Sequence, residues 1–150
     1  DRRILVIGGT TLGIIHASTE VLDIDRMAFS PGPVMGAARY RHAAVKLADE
    51  QRVLVIGGVG RNRRGDRTTL NTTEYHNLEN NAFSAGPPMA VARMGAAAVQ
   101  IDDGRIMVFG GSDEIGQALD TTEIIDLQAG AFSPGPRMGA KRSFLSAAVV

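Results

Sequence analysis

The sequence contains no cysteine, and its positive and negative charges are equal in number. The absence of cysteine excludes disulfide bonds, thiolate metal ligands and a cysteine nucleophile. It does not identify the cellular compartment, because exported and cytosolic proteins can both lack cysteine. A formal net charge of zero leaves no overall field to attract nucleic acid or an anionic membrane surface. Electrostatic recognition by this protein therefore has to be local.

Long apolar runs are also absent. No stretch approaches the roughly 20 residues that a membrane-spanning helix needs, and the chain does not open with a leader peptide, in which a basic segment precedes a long apolar one. These absences predict a soluble protein that does not bind membranes. The chain starts at Asp1 and enters an apolar run directly, which indicates a processed product or a part of a longer protein.

Four motifs occur three times in the same order, and together they define an internal repeat. An arginine followed by an apolar run and Gly-Gly occupies residues 3–9, 52–58 and 105–111. Thr-Glu followed by two residues and Asp or Asn occupies residues 19–23, 73–77 and 122–126. Ala-Phe-Ser leading into Gly-Pro occupies residues 28–33, 82–87 and 131–136. A segment from methionine to arginine occupies residues 35–39, 89–93 and 138–142.

Each repeat predicts four short strands. The run before Gly-Gly is short and rich in β-branched residues, which indicates a buried strand, and the glycines allow close approach to a neighbouring sheet. The second motif predicts a strand that ends on a turn-forming Asp or Asn. The third predicts an outer strand, because proline is tolerated at a sheet edge. Small residues after the fourth motif predict the innermost strand of a radial array, at residues 43–45, 97–99 and 146–148.

These motifs resemble the kelch repeat over essentially the whole chain. The sequence departs from the family pattern in having Phe29, Phe83 and Phe132 where the family has tryptophan. It also has Leu22, His76 and Ile125 where the family has tyrosine. The resemblance implies an all-β fold, a β-propeller of the kelch and galactose-oxidase-like type, in which each repeat contributes one four-stranded antiparallel blade.

The predicted organisation is one propeller segment over residues 1–150. Its parts are a first repeat without its inner strand (3–40), a second repeat (41–93), a third repeat (94–142) and the inner strand of the next or closing blade (143–150). Propellers close with about four to eight blades, so three blades leave two apolar sheet faces open. Either the chain is part of a six- or seven-bladed protein, which we favour, or two copies close a six-bladed ring.

The loop between Val59 and Thr72 contains the clearest candidate site. Four arginines lie in it against the single acidic residue Asp66, and they are Arg61, Arg63, Arg64 and Arg67. Guanidinium groups bind carboxylates and phosphates through paired hydrogen bonds. The loop therefore predicts a site for an acidic partner, and the alternative is a solvated, mobile loop whose charges only maintain solubility.

Two sets of charged residues recur in every repeat and are interpreted as framework. The arginines Arg39, Arg93 and Arg142 either surround a channel mouth and receive an anion, or cap carbonyl groups between blades. The glutamates Glu20, Glu74 and Glu123 are assigned a structural hydrogen-bonding role, like the glycines Gly8, Gly9, Gly57, Gly58, Gly110 and Gly111. Recurrence favours the structural role, because sites added to a fold usually break its symmetry.

Arg41 and His42 do break the symmetry, so we place them among the candidate binding residues, although a packing role is favoured for His42. The other histidines, His16 and His76, have no partner at metal-ligand spacing, and we predict neither a metal nor a cofactor. The sequence also offers no constellation of a nucleophile, a base and a group that orients the base.

The sequence therefore favours a non-catalytic scaffold that presents its loops to a protein or peptide partner. Self-association through the open blade faces is a second expected interaction. The alternative is a fragment of a propeller enzyme that acts on carbohydrate, epimerase-like or oxidase-like, with its site on the central channel. The Cys–Tyr pair of such an oxidase is absent, whereas an epimerase that uses Arg41 and His42 stays open.

Overall fold

A computed structural model of the protein describes residues 2–49 and 51–150. In chain order its strands are β1 (Arg3–Ile7), β2 (Thr10–Thr11), β3 (Ile14–Ile15), β4 (Thr19–Asp23), β5 (Ala28–Pro31), β6 (Ala43–Lys46), β7 (Arg52–Ile56), β8 (Val59–Arg61), β9 (Arg67–Thr69), β10 (Thr73–Asn77), β11 (Ala82–Ala85), β12 (Ala97–Asp102), β13 (Arg105–Phe109), β14 (Thr122–Asp126) and β15 (Ala131–Pro134). The predicted all-β class is confirmed. Among the described residues, no helix has the length and hydropathy that crossing a membrane would require.

Three antiparallel sheets follow one another along the chain. The first sheet has the order β1-β4-β5, the second β6-β7-β10-β11, and the third β12-β13-β14-β15. The second and third sheets thus have the same four-stranded topology, from an inner strand of small residues to an outer strand that ends at a proline-containing turn. Two short hairpins, β2-β3 and β8-β9, follow the Gly-Gly pairs of the first two repeats.

The turn between the second-motif strand and the outer strand is built by the Asp or Asn that ends the strand. In the first sheet, Asp23 Oδ1 accepts hydrogen bonds from the N–H groups of Asp25 and Arg26, both at 3.0 Å. Asn77 and Asp126 accept the equivalent pairs of bonds in the other sheets. This local side-chain bond explains why the chain reverses at the same place in every repeat.

The hydrophobic core lies in the second and third sheets. Leu54, Val55, Ile106, Val108 and Ile125 are all fully buried there. The first sheet is more open. Val6 is 45% exposed, although Val55 and Val108, which occupy its place in the other repeats, are 0% exposed. The difference arises because β1 is an edge strand, whereas the corresponding β7 and β13 each have a strand on both sides.

Residues 143–150 form no strand in the structure. The sequence predicts the inner strand of a next or closing blade here, and its alanines match those of β6 and β12. A strand needs a hydrogen-bonded neighbour, and none of the described strands pairs with this segment. The segment therefore lies outside the described sheets.

Candidate functional site

The loops that follow the three Gly-Gly pairs lie side by side on one rim of the molecule. They are the hairpin of residues 10–15, the hairpin of residues 59–69, and the loop of residues 112–118, and we call them together the hairpin rim. Arg61 Nη2 in the second loop donates to the carbonyl of Gly13 in the first, at 3.4 Å. Thr68 Oγ1 in the second loop donates to Glu114 Oε1 in the third, at 3.1 Å. These contacts make the rim one continuous surface.

The arginine-rich segment is an ordered hairpin, where the sequence predicts a loop. β8 pairs with β9, and Arg61 lies directly opposite Arg67. The turn is held by Asn62, whose Oδ1 accepts hydrogen bonds from the N–H groups of Arg64 and Asp66 at 2.9 and 3.0 Å. Three-residue strands are too short to be recognised from alternation of polar and apolar residues, which is why the sequence does not reveal them.

The four arginines of this hairpin are exposed and have no acidic partners. In the part of the chain that the structure describes, none of them lies within ion-pair distance of a carboxylate, and the Arg61 guanidinium instead donates to the carbonyl of Gly65 at 2.6 Å. Like charges directly opposite each other on two strands destabilise a hairpin. The hairpin therefore concentrates positive charge that a bound anionic group would neutralise.

The two neighbouring loops differ from the basic hairpin in character. The first carries Leu12 at the turn, 99% exposed, and Ile14, 63% exposed. The third carries Glu114 and Ile115, of which Ile115 is 78% exposed. The hairpin rim thus presents an apolar, a basic and an acidic loop in that order. Leu12, Glu114 and Ile115 are not recognisable from the sequence as site residues, because only the folded structure brings the three loops into contact on one rim.

Arg41 lies next to this rim. Together with Tyr40, Arg67 and Glu114, it lines an open groove of about 200 Å³. Its guanidinium carbon is 5.4 Å from the ring centroid of Tyr40 and 5.1 Å from that of Phe144. At these distances the cation is attracted to both ring faces, which holds the side chain in place. The structure therefore brings two of the predicted binding residues, Arg41 and Arg67, to one groove.

His42 is partly buried and does not line the groove. Its Nδ1 atom is buried and has no hydrogen-bond partner. Burial and, to a smaller extent, the positive charge of Arg39 lower the pKa of His42 from 6.5 to about 4. The ring is therefore neutral near pH 7. The structure separates the pair on which an epimerase-like site would depend, since only Arg41 of the two side chains lines the groove.

Two of the recurrent arginines and two of the recurrent glutamates lie between sheets. Arg39 is completely buried, and its Nη2 atom is 2.6 Å from Glu74 Oε1 in the next sheet. Its Nη1 atom donates to the carbonyls of Gly57 and Thr72 at 2.9 and 3.1 Å. Glu74 also accepts hydrogen bonds from the N–H groups of residues 36 and 37. We call this set of contacts the sheet junction.

The same sheet junction joins the second sheet to the third. Arg93 is 1% exposed, and it donates to Glu123 Oε1, to the carbonyls of Gly110 and Thr121, and to the Thr121 hydroxyl. Both arginines thus bond to carbonyl groups of the adjoining sheet and face no open channel mouth. Arg142 and Glu20, the remaining members of the two sets, are exposed and form no ion pair within the described residues.

The other histidines make local contacts. His76 Nε2 lies 3.2 Å from Asn81 Oδ1, and its ring packs against Phe83. His16 fixes the backbone near the first Gly-Gly pair, where its N–H donates to the Gly9 carbonyl at 3.0 Å. Within residues 2–49 and 51–150, no group of three His, Cys, Asp or Glu side chains is arranged to hold a metal ion.

The architecture is that of an all-β repeat protein, with successive antiparallel sheets of the kind that build propellers. Residues 93–139 match the family model described as Kelch motif, which confirms the predicted kelch resemblance in this part of the chain. This stretch includes all of the third sheet and the Arg93 side of its junction. A comparison with curated proteins finds no match to the chain.

Proposed function

We propose that the chain is a binding scaffold that uses the hairpin rim to hold a protein or peptide partner. Kelch repeats commonly form propellers that mediate protein interactions, which supports this class of function. The observation that carries the proposal is the group of four exposed arginines on one ordered hairpin with no carboxylate partner among the described residues. A rigid framework that positions variable loops is the usual way in which such a fold acquires a binding site.

The composition of the rim supports a partner of particular chemistry. Arginine clusters bind acidic groups, and the adjacent Leu12 provides an exposed apolar contact. Leu12 has a φ of 49°, a left-handed conformation that is unfavourable for leucine, and it buries almost none of its surface within the chain. A strained and exposed apolar side chain next to unpaired cations fits a partner segment with acidic residues beside an apolar one.

Selection of a phage-displayed random peptide library on the purified 150-residue chain tests the proposal. The expected result is enrichment of peptides with Asp or Glu next to Leu, Ile or Phe. The double variant Arg63→Ala/Arg64→Ala is expected to bind an enriched peptide at least about tenfold more weakly and with a smaller dependence on salt. Fluorescence anisotropy over a range of salt concentrations measures both quantities.

The control variant is Arg26→Ala/Lys46→Ala, which removes the same amount of charge at exposed positions outside the hairpin rim. It is expected to bind the peptide like the wild type. Enriched peptides without acidic residues, or equal weakening by both double variants, would contradict the proposed site.

A further inference from the structure

The first sheet has the glutamate and the two carbonyl groups of a sheet junction, but no arginine of the described residues binds to them. We call these groups the acceptor half. Glu20 occupies the place of Glu74 and Glu123, yet it is exposed, whereas those residues are only 6% and 4% exposed. An open cavity of about 420 Å³ lies in front of it, lined by Val6, Gly8, Ser18, Thr19, Glu20 and Pro31. Gly8, Ser18 and Glu20 correspond to the three residues that bind Arg39 in the second sheet. The cavity therefore has the counterparts of the residues that bind arginine in the second sheet, and we call it the socket.

The backbone of this socket has the geometry of an occupied junction. The Gly8 N–H donates to the Ser18 carbonyl at 3.1 Å, as the Gly57 N–H does to Thr72 at 3.0 Å. The φ of Gly8 is 58°, close to the 61° of Gly57. An incoming arginine would thus meet carbonyl groups that already lie where they lie in the second sheet.

The third sheet carries the matching donor half. Arg142 is exposed, whereas Arg39 and Arg93 are buried, but its backbone is held in the same way as theirs. Its N–H donates to the Leu119 carbonyl at 3.0 Å, and its carbonyl accepts from the Gly111 N–H at 2.8 Å. Gly139, which corresponds to Gly36 beside Glu74, has open space around it. This donor half thus has the arginine and also the free N–H groups from which a glutamate would accept hydrogen bonds.

Residues 146–149, which follow Arg142, could form a strand next to the donor half. They align with residues 43–46, which form β6 and pair with β7. The corresponding partner in the first sheet is β1, whose free edge bears the half-exposed Ile4 and Val6. Val149 is itself 68% exposed. Within the described residues, the molecule therefore contains a segment that could form an inner strand but pairs with no sheet, and a first sheet that has no inner strand.

We propose that a second copy of the chain fills the socket. Residues 138–142 of one copy would occupy the cavity of the other, with Arg142 bound to Glu20 and to the Gly8 and Ser18 carbonyls. Residues 146–149 would add to β1 in the register of β6 on β7, which pairs Ser146 with Ile7 and Ala147 with Val6. Because Glu20 and Arg142 have opposite charges, the first sheet of one copy contacts the third sheet of the other. Each copy contributes one acceptor half and one donor half.

The number of copies follows from ring closure. Propellers close with about four to eight sheets around the axis. One copy has three sheets. Two copies bring the total into this range, and three copies exceed it. For a chain of these 150 residues, the proposed assembly is thus a ring of two copies with two identical junctions.

Light scattering during size-exclusion chromatography of the 150-residue chain is the first test. The expected mass is twice the 15.8 kDa of the chain. Glu20→Arg and Arg142→Glu are each expected to weaken the dimer at least about tenfold, because each places like charges in both junctions. Both residues are exposed in the single chain, so the variants should fold, which circular dichroism checks. The matched controls Glu79→Arg and Arg63→Glu should remain dimeric.

Mixing the two variants separates a charge contact from general damage. A mixed dimer contains one native junction, between Glu20 of one variant and Arg142 of the other, so the mixture is expected to recover association. A monomeric wild-type chain, an assembly of three or more copies, or a dimer that both variants leave intact would overturn the proposal. A monomer would indicate that blades of a longer chain fill the socket.

Disulfide trapping tests the strand register. The chain has no cysteine, so Val6→Cys in one copy and Ala147→Cys in another provide the only thiols. Directly opposite residues lie within the range of Cα separations that a disulfide spans, and the mixture is expected to form a covalent dimer on oxidation. Leu5→Cys mixed with Ala147→Cys is the control, because neighbouring residues of a strand face opposite sides. Equal trapping of the two pairs, or none, would refute the register.

Discussion

His42 is a titratable residue that the fold keeps in its neutral form. Its pKa is lowered from 6.5 to about 4, first by burial and then by the nearby charge of Arg39. Above pH 6.5 the ring is neutral in the folded and the unfolded chain, so it does not affect the free energy of unfolding. Below that pH the unfolded chain binds a proton that the folded chain excludes. Stability is therefore lost as the pH falls from about 6.5 to about 4.

We predict that replacing His42 with alanine, the residue at the same place in the second repeat, makes stability less sensitive to acid. Between about pH 7 and about pH 4 the wild type should lose on the order of 3 kcal/mol more than the variant. Urea denaturation at several pH values measures the difference. Parallel curves for the two proteins would show that His42 is not the group that titrates.

Leu12 illustrates a residue whose local conformation is unfavourable. It forms a two-residue turn with Gly13, and both have positive φ. Such turns favour asparagine, and leucine costs free energy there. Met27, with a φ of 50°, has the same conformation in a turn outside the hairpin rim, where the second repeat has Asn81, with a φ of 53°.

Accordingly, Leu12→Asn should raise the free energy of unfolding by up to about 1 kcal/mol and weaken binding of the selected peptides. Met27→Asn should give a similar stabilisation without affecting binding. Urea denaturation and anisotropy measure the two effects. If Leu12→Asn left peptide affinity unchanged, Leu12 would not be part of the binding surface.

At the scale of elements, the sheet junction is the contact that joins successive sheets. It combines a buried ion pair with hydrogen bonds to backbone groups, as between Arg39 and Glu74. A buried pair of this kind contributes little compared with a good apolar contact, but removing one partner leaves an uncompensated buried charge. The junction therefore makes the relative placement of the sheets specific.

For this reason Glu74→Gln should lower the free energy of unfolding by about 3 kcal/mol, whereas Glu79→Gln at an exposed turn should change it by less than about 0.5 kcal/mol. Adding Arg39→Met to Glu74→Gln should recover part of the loss, because the unpaired charge is removed. Chemical denaturation of the four proteins forms the test. A larger loss in the double variant would mean that Arg39 stabilises the fold through contacts other than Glu74.

For the whole molecule, association and stability are linked. If two copies close the ring, the folded dimer is favoured by mass action, and the Tm should rise with protein concentration. Glu20→Arg should abolish this dependence. Differential scanning calorimetry over a wide range of concentrations measures it, and a constant Tm of the wild type would contradict association through the socket.

The sequence by itself determines the repeat and the strands within it. Gly-Gly pairs, the Asp or Asn turns and the prolines act over a few residues, so the strands up to the last full repeat can be located from the sequence. The tertiary structure decides what depends on distant neighbours. It shows that the arginines of the segment at 61–67 lie on a hairpin, that Arg41 joins Arg67 in a groove, and that His42 is packed.

The contribution of the tertiary structure is clearest for residues that occupy the same position in different repeats. Arg39 and Arg142 have the same motif, yet one is buried between two sheets and the other is exposed, because only the first has a following sheet. Likewise, the alanines of β6 form a strand, while those at 147–148 do not. A repeat motif encodes which contacts a residue can make, and the presence of a neighbouring sheet decides whether it makes them.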